Sequence, residues 1–242
     1  MQRLNRRLGA IAWCCLCMAA PAHAAQNIVT GTDAAGGGPS SQVKRFDTPS
    51  LVETASFFPF PGFAGGARVA FNDVTVDAVD DFVVGTGPGV PAEVRVFDDV
   101  TLSIVRDFLP YGAGFTGGVF VAAADFNADG KADIITGAGS GGTPQVKAFS
   151  GANLVVLANF LAFAPCFTGG VRVAAGRVNA DLVPDFVVGT GPGGAEVRAF
   201  DGQTQAQLHD FLPYGAVTPG VFVAAPPTQG VVPVRLLDFV VD

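Results

Sequence analysis

Residues 125–133 read Asp125-Phe126-Asn127-Ala128-Asp129-Gly130-Lys131-Ala132-Asp133. Oxygen-bearing side chains at positions 1, 3, 5 and 9, with Gly at position 6, can wrap one hard cation in a tight loop. Position 7, Lys131, would add its backbone carbonyl. Calcium accepts such flexible shells of about six to eight oxygens, whereas magnesium keeps more of its water, so the expected cofactor is Ca2+. An EF-hand would place Glu at position 12. Thr136 stands there, followed by strand-type rather than helical sequence. The competing reading is an Asp/Asn turn whose side chains hold their own backbone.

Two sister loops are graded versions of the same pattern. Asp73-x-Thr75-x-Asp77-x-Val79-x-Asp81 keeps three carboxylates and a hydroxyl, with Val79 at the carbonyl position and Ala78 in place of Gly, and predicts a weaker site. Arg177-x-Asn179-x-Asp181-x-x-x-Asp185 starts on a cation, which can itself neutralise Asp181 and Asp185, so no metal is expected there. The last copy, residues 226–230, reads Pro-Pro-Thr-Gln-Gly and has lost the loop.

Catalytic chemistry is thin elsewhere. His209 adjoins Asp210 but has no Ser or Cys elbow beside it, and reads as a solvated turn residue. Cys166 lacks a nearby His and reads as a small core or loop-lining residue. Gly85-Thr-Gly-Pro-Gly89 and Gly189-Thr-Gly-Pro-Gly193 follow apolar runs as nucleotide loops do, but no helix follows and Pro interrupts. They read as strand-connecting turns. The carboxylate-rich loops fit calcium better than glycosidase-type acid/base pairs.

The elements that must position these loops are repeated. Gly118-Val-Phe-Val-Ala-Ala123 recurs as Gly170-Val-Arg-Val-Ala-Ala175 and Gly220-Val-Phe-Val-Ala-Ala225, with Gly66-Ala-Arg-Val-Ala-Phe71 a looser copy. These starts lie 52, 52 and 50 residues apart. Asp81-Phe-Val-Val-Gly-Thr-Gly-Pro-Gly89 returns from Asp185, with Asp133-Ile-Ile-Thr-Gly137 midway, and Phe108-Leu-Pro-Tyr-Gly112 returns from Phe211. Each unit holds four short runs rich in β-branched and aromatic residues, punctuated by Gly, Pro, Ser and Asn; in the best copy they are 119–123, 133–137, 145–149 and 154–163. Four antiparallel strands per unit of about 50 residues describe a propeller blade. The expected fold is all-β, a propeller of about four four-stranded antiparallel blades. An open stack or two β-sandwiches is the alternative.

The ends share the register: 27–31, 42–46 and 52–60 match second, third and fourth strands, while 220–225 and 237–242 match a first and a second. The strands thus fall as three, four, four, four and two. The ring could close by laying 220–225 beside 27–31, or the chain could be part of a longer propeller. Open edges invite aggregation, so closure matters.

Composition agrees. The 242 residues include 32 Gly, 17 Pro and 21 Phe, are 49 % hydrophobic and only 14 % charged, and carry net charge −7. That is too apolar for a disordered chain and too acidic for a nucleic-acid partner. Arg3, Arg6 and Arg7 precede a charge-free run of about 13 residues, short of the roughly 20 needed to span a membrane. Ala22-His23-Ala24 follows, and predicts a secretory signal over 1–24, cleaved after Ala24, with an uncleaved anchor the alternative. Its removal takes three of the four Cys, leaves 21 acids against 11 bases and makes the charge −10. One remaining thiol excludes an internal disulfide. No later run is long enough to span a membrane. The mature domain is read as 25–242, in units of about 27–62, 63–114, 115–166, 167–217 and 218–242.

The Asp-x-Asn-x-Asp-Gly-x-x-Asp loop, set inside Gly-Gly-Val-Phe-Val-Ala-Ala and Ile-Ile-Thr-Gly-Ala-Gly blocks, resembles bacterial FG-GAP/VCBS repeat proteins, which are similar to the calcium-loop blades of integrin α-chain propellers. The resemblance covers about residues 27–242. It implies a β-propeller with calcium held between blade strands, and a secreted setting, periplasmic, extracellular or at the cell surface. Asp125, Asn127, Asp129, Lys131 and Asp133 match the metal pattern fully; the other loops do not. Such families include adhesive, spacer and enzyme-attached modules. The reading is a calcium-binding, non-enzymatic binding or adhesion scaffold with an extracellular protein or glycan partner. The alternatives are a polysaccharide-acting propeller enzyme and a passive spacer within a larger surface protein.

Two repeat-locked features remain. Position 3 of the first run reads Arg68, Phe120, Arg172 and Phe222. If first strands line the axis and four blades close, the two arginines face each other across a channel between two aromatic rings, an anion or glycan site by chemistry; solvated surface variation is the competing reading. Third runs carry Lys44, Arg95, Lys147 and Arg198, each two residues before a Phe, and each is expected to pair with a nearby Asp.

Overall fold

The structure is a computed structural model that describes residues 27–33, 41–48, 50–215 and 217–225. The expected export signal, the 226–230 segment and the expected strand at 237–242 lie outside the described residues. Fifteen strands follow in order: β1 (Asn27–Gly31), β2 (Val43–Asp47), β3 (Val52–Phe57), β4 (Ala67–Asn72), β5 (Asp81–Thr86), β6 (Val94–Phe97), β7 (Ile104–Phe108), β8 (Val119–Ala124), β9 (Asp133–Ala138), β10 (Gln145–Phe149), β11 (Val156–Leu161), β12 (Val171–Gly176), β13 (Asp185–Thr190), β14 (Val197–Phe200) and β15 (Gln207–Phe211). They form four antiparallel meanders, blade I (β1–β3) and the four-stranded blades II (β4–β7), III (β8–β11) and IV (β12–β15). The chain is a β-propeller built from these blades.

A blade in a stack has two covered faces, and successive strand residues point to opposite faces. In blade II, Phe82 and Val84 pack into the core shared with blade I, while Val83 packs into the core shared with blade III. In blade III, Ile134 faces blade II and Ile135 faces blade IV. This is why β5 and β9 are buried at every position, against the usual apolar/polar alternation. Phe126 of blade III stacks on Phe186 of blade IV with ring centroids 4.4 Å apart. The fourth strands, outermost, are largely exposed.

Glycine sets the spacing between blades. The fifth residue of each second strand is Gly31, Gly85, Gly137 or Gly189. A β-carbon at any of them would collide with the carbonyl oxygen of Ala67, Val119, Val171 or Val221, the start of the next unit's first run. At Gly85 the separation would be 2.7 Å. Of the Gly-Thr-Gly-Pro-Gly stretches, expected as turns, the first two residues end β5 and β13 and the Gly-Pro-Gly that follows makes the turn. Gly89 and Gly193 donate to the carbonyls of Thr116 and Thr218 in the following unit (3.0 and 2.9 Å).

The third-strand bases fasten each blade to the one before. Arg95 Nη1 donates to the Pro59 carbonyl (2.7 Å), Lys147 Nζ to that of Pro110 (2.8 Å) and Arg198 Nη1 to that of Ala162 (3.1 Å). Each cation also lies over a ring of the preceding blade: Phe60, Tyr111 or Phe163. The expectation of Asp partners is corrected in part. The shortest acidic contacts are to Glu53 from Lys44, Glu93 from Arg95 and Glu196 from Arg198; Asp107 and Asp210 stand farther off, at 3.5 and 3.4 Å. Lys147 makes no ion pair among the described residues.

The expected last first strand, 220–225, is only partly realised. Val221 N donates to the Thr190 carbonyl (2.8 Å), so the segment sits on blade IV as the other first strands sit on their predecessors. It forms no strand, and β1 pairs only with β2. Among the described residues the ring is not closed by strand pairing.

Because the Gly137 contact is with backbone, which cannot rotate away, Gly137→Ala is expected to cost about 2–3 kcal/mol. Gly114, with open space around it, is the control, and Gly114→Ala should stay within about 0.5 kcal/mol. Urea unfolding of the two variants makes the comparison.

Candidate metal loops and the axial cluster

Each first-to-second-strand loop is organised by its position-9 aspartate, which is fully buried in all three copies. Asp133 Oδ2 accepts the Phe126 amide (2.9 Å), and its Oδ1 accepts that of Gly151 (3.0 Å), in the turn between β10 and β11. Asp185 accepts Val178 and Asn179 amides on Oδ2 (2.7 and 3.0 Å) and that of Gly202 on Oδ1 (3.1 Å). Asp81 accepts Val74 and Thr75 on Oδ2, both at 2.9 Å, while its Oδ1 has no hydrogen-bond partner. Burial pushes the Asp133 carboxyl up to about 6, with the Gly151 and Phe126 amides opposing and the charges of Asp129 and Asp125 adding. A cation there would relieve what burial and repulsion impose.

The 125–133 loop winds through left-handed turns at Ala128 (φ 58) and Gly130 (φ 83). Asp125 accepts the amides of Asp129 (3.2 Å) and Gly130 (2.9 Å), Asn127 Oδ1 accepts Asp129 N (3.0 Å), and Asp129 accepts Lys131 N (2.9 Å). These are Asx-type turns. They use part of each carboxylate's roughly four acceptor positions, so the donor set of hard oxygens remains suited to calcium. The 73–81 loop repeats the winding with Val76 (φ 65) and Ala78 (φ 68), where a side chain is strained. Asp73 accepts Val76 and Ala78 amides (2.5 and 3.0 Å), and Asp77 accepts that of Val79 (2.9 Å). Thr75 Oγ1 is buried without a partner.

The loop expected to be metal-free gathers carboxylates most tightly. Asp181, Asp185 and Asp201 place one oxygen each within 4.8 Å of one another, a spacing at which a metal ion can be held. Arg177 does not neutralise them: it makes no ion pair among the described residues, and its Nε is buried unpaired. What they have instead is a shared hydrogen-bond donor without charge, Asn179 Nδ2, at 2.8 Å from Asp181, 2.9 Å from Asp201 and 3.4 Å from Asp185. Asp201 was missed because it comes from the turn after β14, far along the chain. Its signal was available: the residue after the third-run Phe is Asp47, Asp98, Ser150 or Asp201 in every unit.

The four position-3 residues lie in sequence along one cavity, with ring and guanidinium alternating, rather than with two arginines facing each other across a closed channel. Arg68, Phe120, Arg172 and Phe222 line one cavity of about 300 Å³ together with Gly31, Asp33 and Ala67.

Residues 117–154, which hold β8, the calcium-type loop, β9 and β10, match the FG-GAP repeat family. No curated protein sequence matches the chain. Among solved structures, it is similar to a chain from a structure described as "Crystal Structure of Mitotic Checkpoint Complex" (12 % identity, TM-score 0.47, covering 71 % of this chain and 46 % of that one). A second is described as "Structure of Dos1 propeller" (12 % identity, TM-score 0.48, covering 81 % and 46 %). The chain spans about half the length of both.

Outside the matched residues, His209 is exposed on the outer strand β15, opposite Ala199. Cys166 is exposed in the loop after β11, so the core alternative for it does not hold. No helix among the described residues is long and apolar enough to cross a membrane.

Asn179→Ala leaves three clustered carboxylates without their shared donor. In a chelator-containing buffer it should lower stability by about 2 kcal/mol in urea unfolding. Asn179→Asp, which adds a fourth negative charge, should lower it further.

Proposed function

We propose that the protein is a secreted, calcium-binding β-propeller that serves as a non-enzymatic binding or adhesion scaffold for an extracellular protein or glycan. The observation that carries this reading is the 125–133 loop. It lies within the residues that match the FG-GAP repeat family and carries Asp125, Asp129 and Asp133 on one set of left-handed turns, although their oxygens do not converge as those of Asp181, Asp185 and Asp201 do. Asp125, Asn127, Asp129 and Asp133 would hold the ion through side chains and Lys131 through its carbonyl; Asp73, Thr75, Asp77, Val79 and Asp81 form the weaker counterpart.

Calcium supplies fixed positive charge that offsets the repulsion among these carboxylates. The protein's own residues do the rest. Asp133 ties the loop to the β10–β11 turn through Gly151, and the Ala132 amide donates to the Asp73 carbonyl of blade II (2.7 Å). Ordering this loop therefore stiffens the joint between two blades, and a stiff rim is what a scaffold presents to its ligand. The acidic side chains are committed to these turns rather than paired as acid and base, and His209 stands apart from them.

Calcium at a hundredfold excess over its Kd should raise the melting temperature by about 5–10 °C, and magnesium at the same level should not. Asp129→Ala should remove the shift. A shift that survives Asp129→Ala but disappears in Asp181→Asn would move the ion to the Asp181–Asp185–Asp201 cluster, and no shift in the parent protein would overturn the calcium reading.

A further inference from the structure

The axial cluster has no part in calcium binding. Three of its residues come from the consecutive first strands β4, β8 and β12 and the fourth, Phe222, from the strandless segment that follows blade IV, and they stack in order. The Arg68 guanidinium carbon lies 3.8 Å from the Phe120 ring centroid. That of Arg172 lies 5.8 Å from Phe120 and 3.9 Å from Phe222. Cation and ring alternate, so each arginine has a π face beside it instead of the other positive charge.

We propose that this cavity binds a sugar acid: a monosaccharide-sized ligand with one carboxylate and several hydroxyls.

Four observations support that class. First, ring stacking covers the guanidinium faces and leaves their edges to donate, and guanidinium edges match carboxylates in a bidentate fork. Second, one nitrogen of each guanidinium, Arg68 Nη1 and Arg172 Nε, is enclosed by protein with no hydrogen-bond partner among the described residues, so a ligand meets the arginines at their other nitrogens and gains from charge that burial leaves poorly solvated. Third, the lining holds two arginines and one carboxylate, Asp33, in a chain of net charge −7. The local excess is a single positive charge, which suits a monoanion. Fourth, about 300 Å³ is more than a bare oxyanion fills and lies at the small end of ligand pockets. Phe222 is 78 % exposed and offers an open ring edge and face to the C–H side of a pyranose.

The guanidiniums use the room that two glycines leave: a β-carbon at Gly118 would meet Arg68 Nη1 at 2.7 Å, and one at Gly220 would collide with Arg172 Nη1. Arg172 Nη1 also donates to the Thr190 carbonyl (3.1 Å). Burial pulls Arg68 down to about 10, with Asp33 opposing and Arg172 adding, so it stays charged at neutral pH.

The test is titration of the full chain with glucuronate, glucose and inorganic phosphate by calorimetry, with calcium present throughout. Glucuronate should bind, and glucose and phosphate should bind at least about tenfold more weakly. Arg172→Gln should weaken glucuronate by about tenfold or more while leaving the calcium-dependent melting shift intact, which shows that the variant is folded. Phe222→Ala, at an exposed position, is the second variant and should also weaken it. No glucuronate binding, equal binding of glucose or phosphate, or undiminished binding in both variants would overturn the proposal.

Discussion

The distance between neighbouring blades is set where a second-strand glycine meets the carbonyl that begins the next unit's first run. Nothing larger than hydrogen fits at Gly31, Gly85, Gly137 or Gly189. That approach brings β4, β8 and β12 side by side along the axis and lets Val83 or Ile135 reach the next blade's core. It also sets the reach of the peripheral fastenings. Arg95, Lys147 and Arg198 can contact the preceding blade's carbonyls and rings only if the sheets are this close. The stacking of four position-3 side chains follows from the same spacing, since a larger offset would separate guanidinium from ring.

Much of this was legible because the chain repeats. One unit's strands could be read from turn residues and β-branched runs, and the period then placed them in the others. Repeat logic also gave the axial cluster, since one register position recurring in four first strands must converge if those strands do. What was not legible were contacts between units. The partners of Arg95, Lys147 and Arg198 include backbone carbonyls of the preceding blade, and a carbonyl has no signature in a sequence. Asp201 joins Asp181 and Asp185 only because the β14–β15 turn folds over the loop, and the formal charge of Arg177 suggested a neutraliser that the geometry does not use. The pairing of 220–225 could not be read either, because its register permits two arrangements.

The position-9 aspartate separates what folds the loop from what would bind a metal. It is buried and accepts amides in all three copies, including the copy that begins with Arg177. Its presence therefore reflects unsatisfied backbone donors at a tight turn, a need that exists with or without an ion. Positions 1, 3 and 5 make no such uniform contribution: they read Asp, Asn, Asp in one loop, Asp, Thr, Asp in another and Arg, Asn, Asp in the third. The difference in cation preference must arise there. A loop keeping only the ninth residue would still be a sound turn. The 125–133 loop adds two carboxylates, Asp125 and Asp129, which accept loop amides but crowd more negative charge round Asp133 than those hydrogen bonds require, and a glycine in a left-handed conformation. Charge placed where it raises the cost of the metal-free state is what a loop selected for a cation would carry.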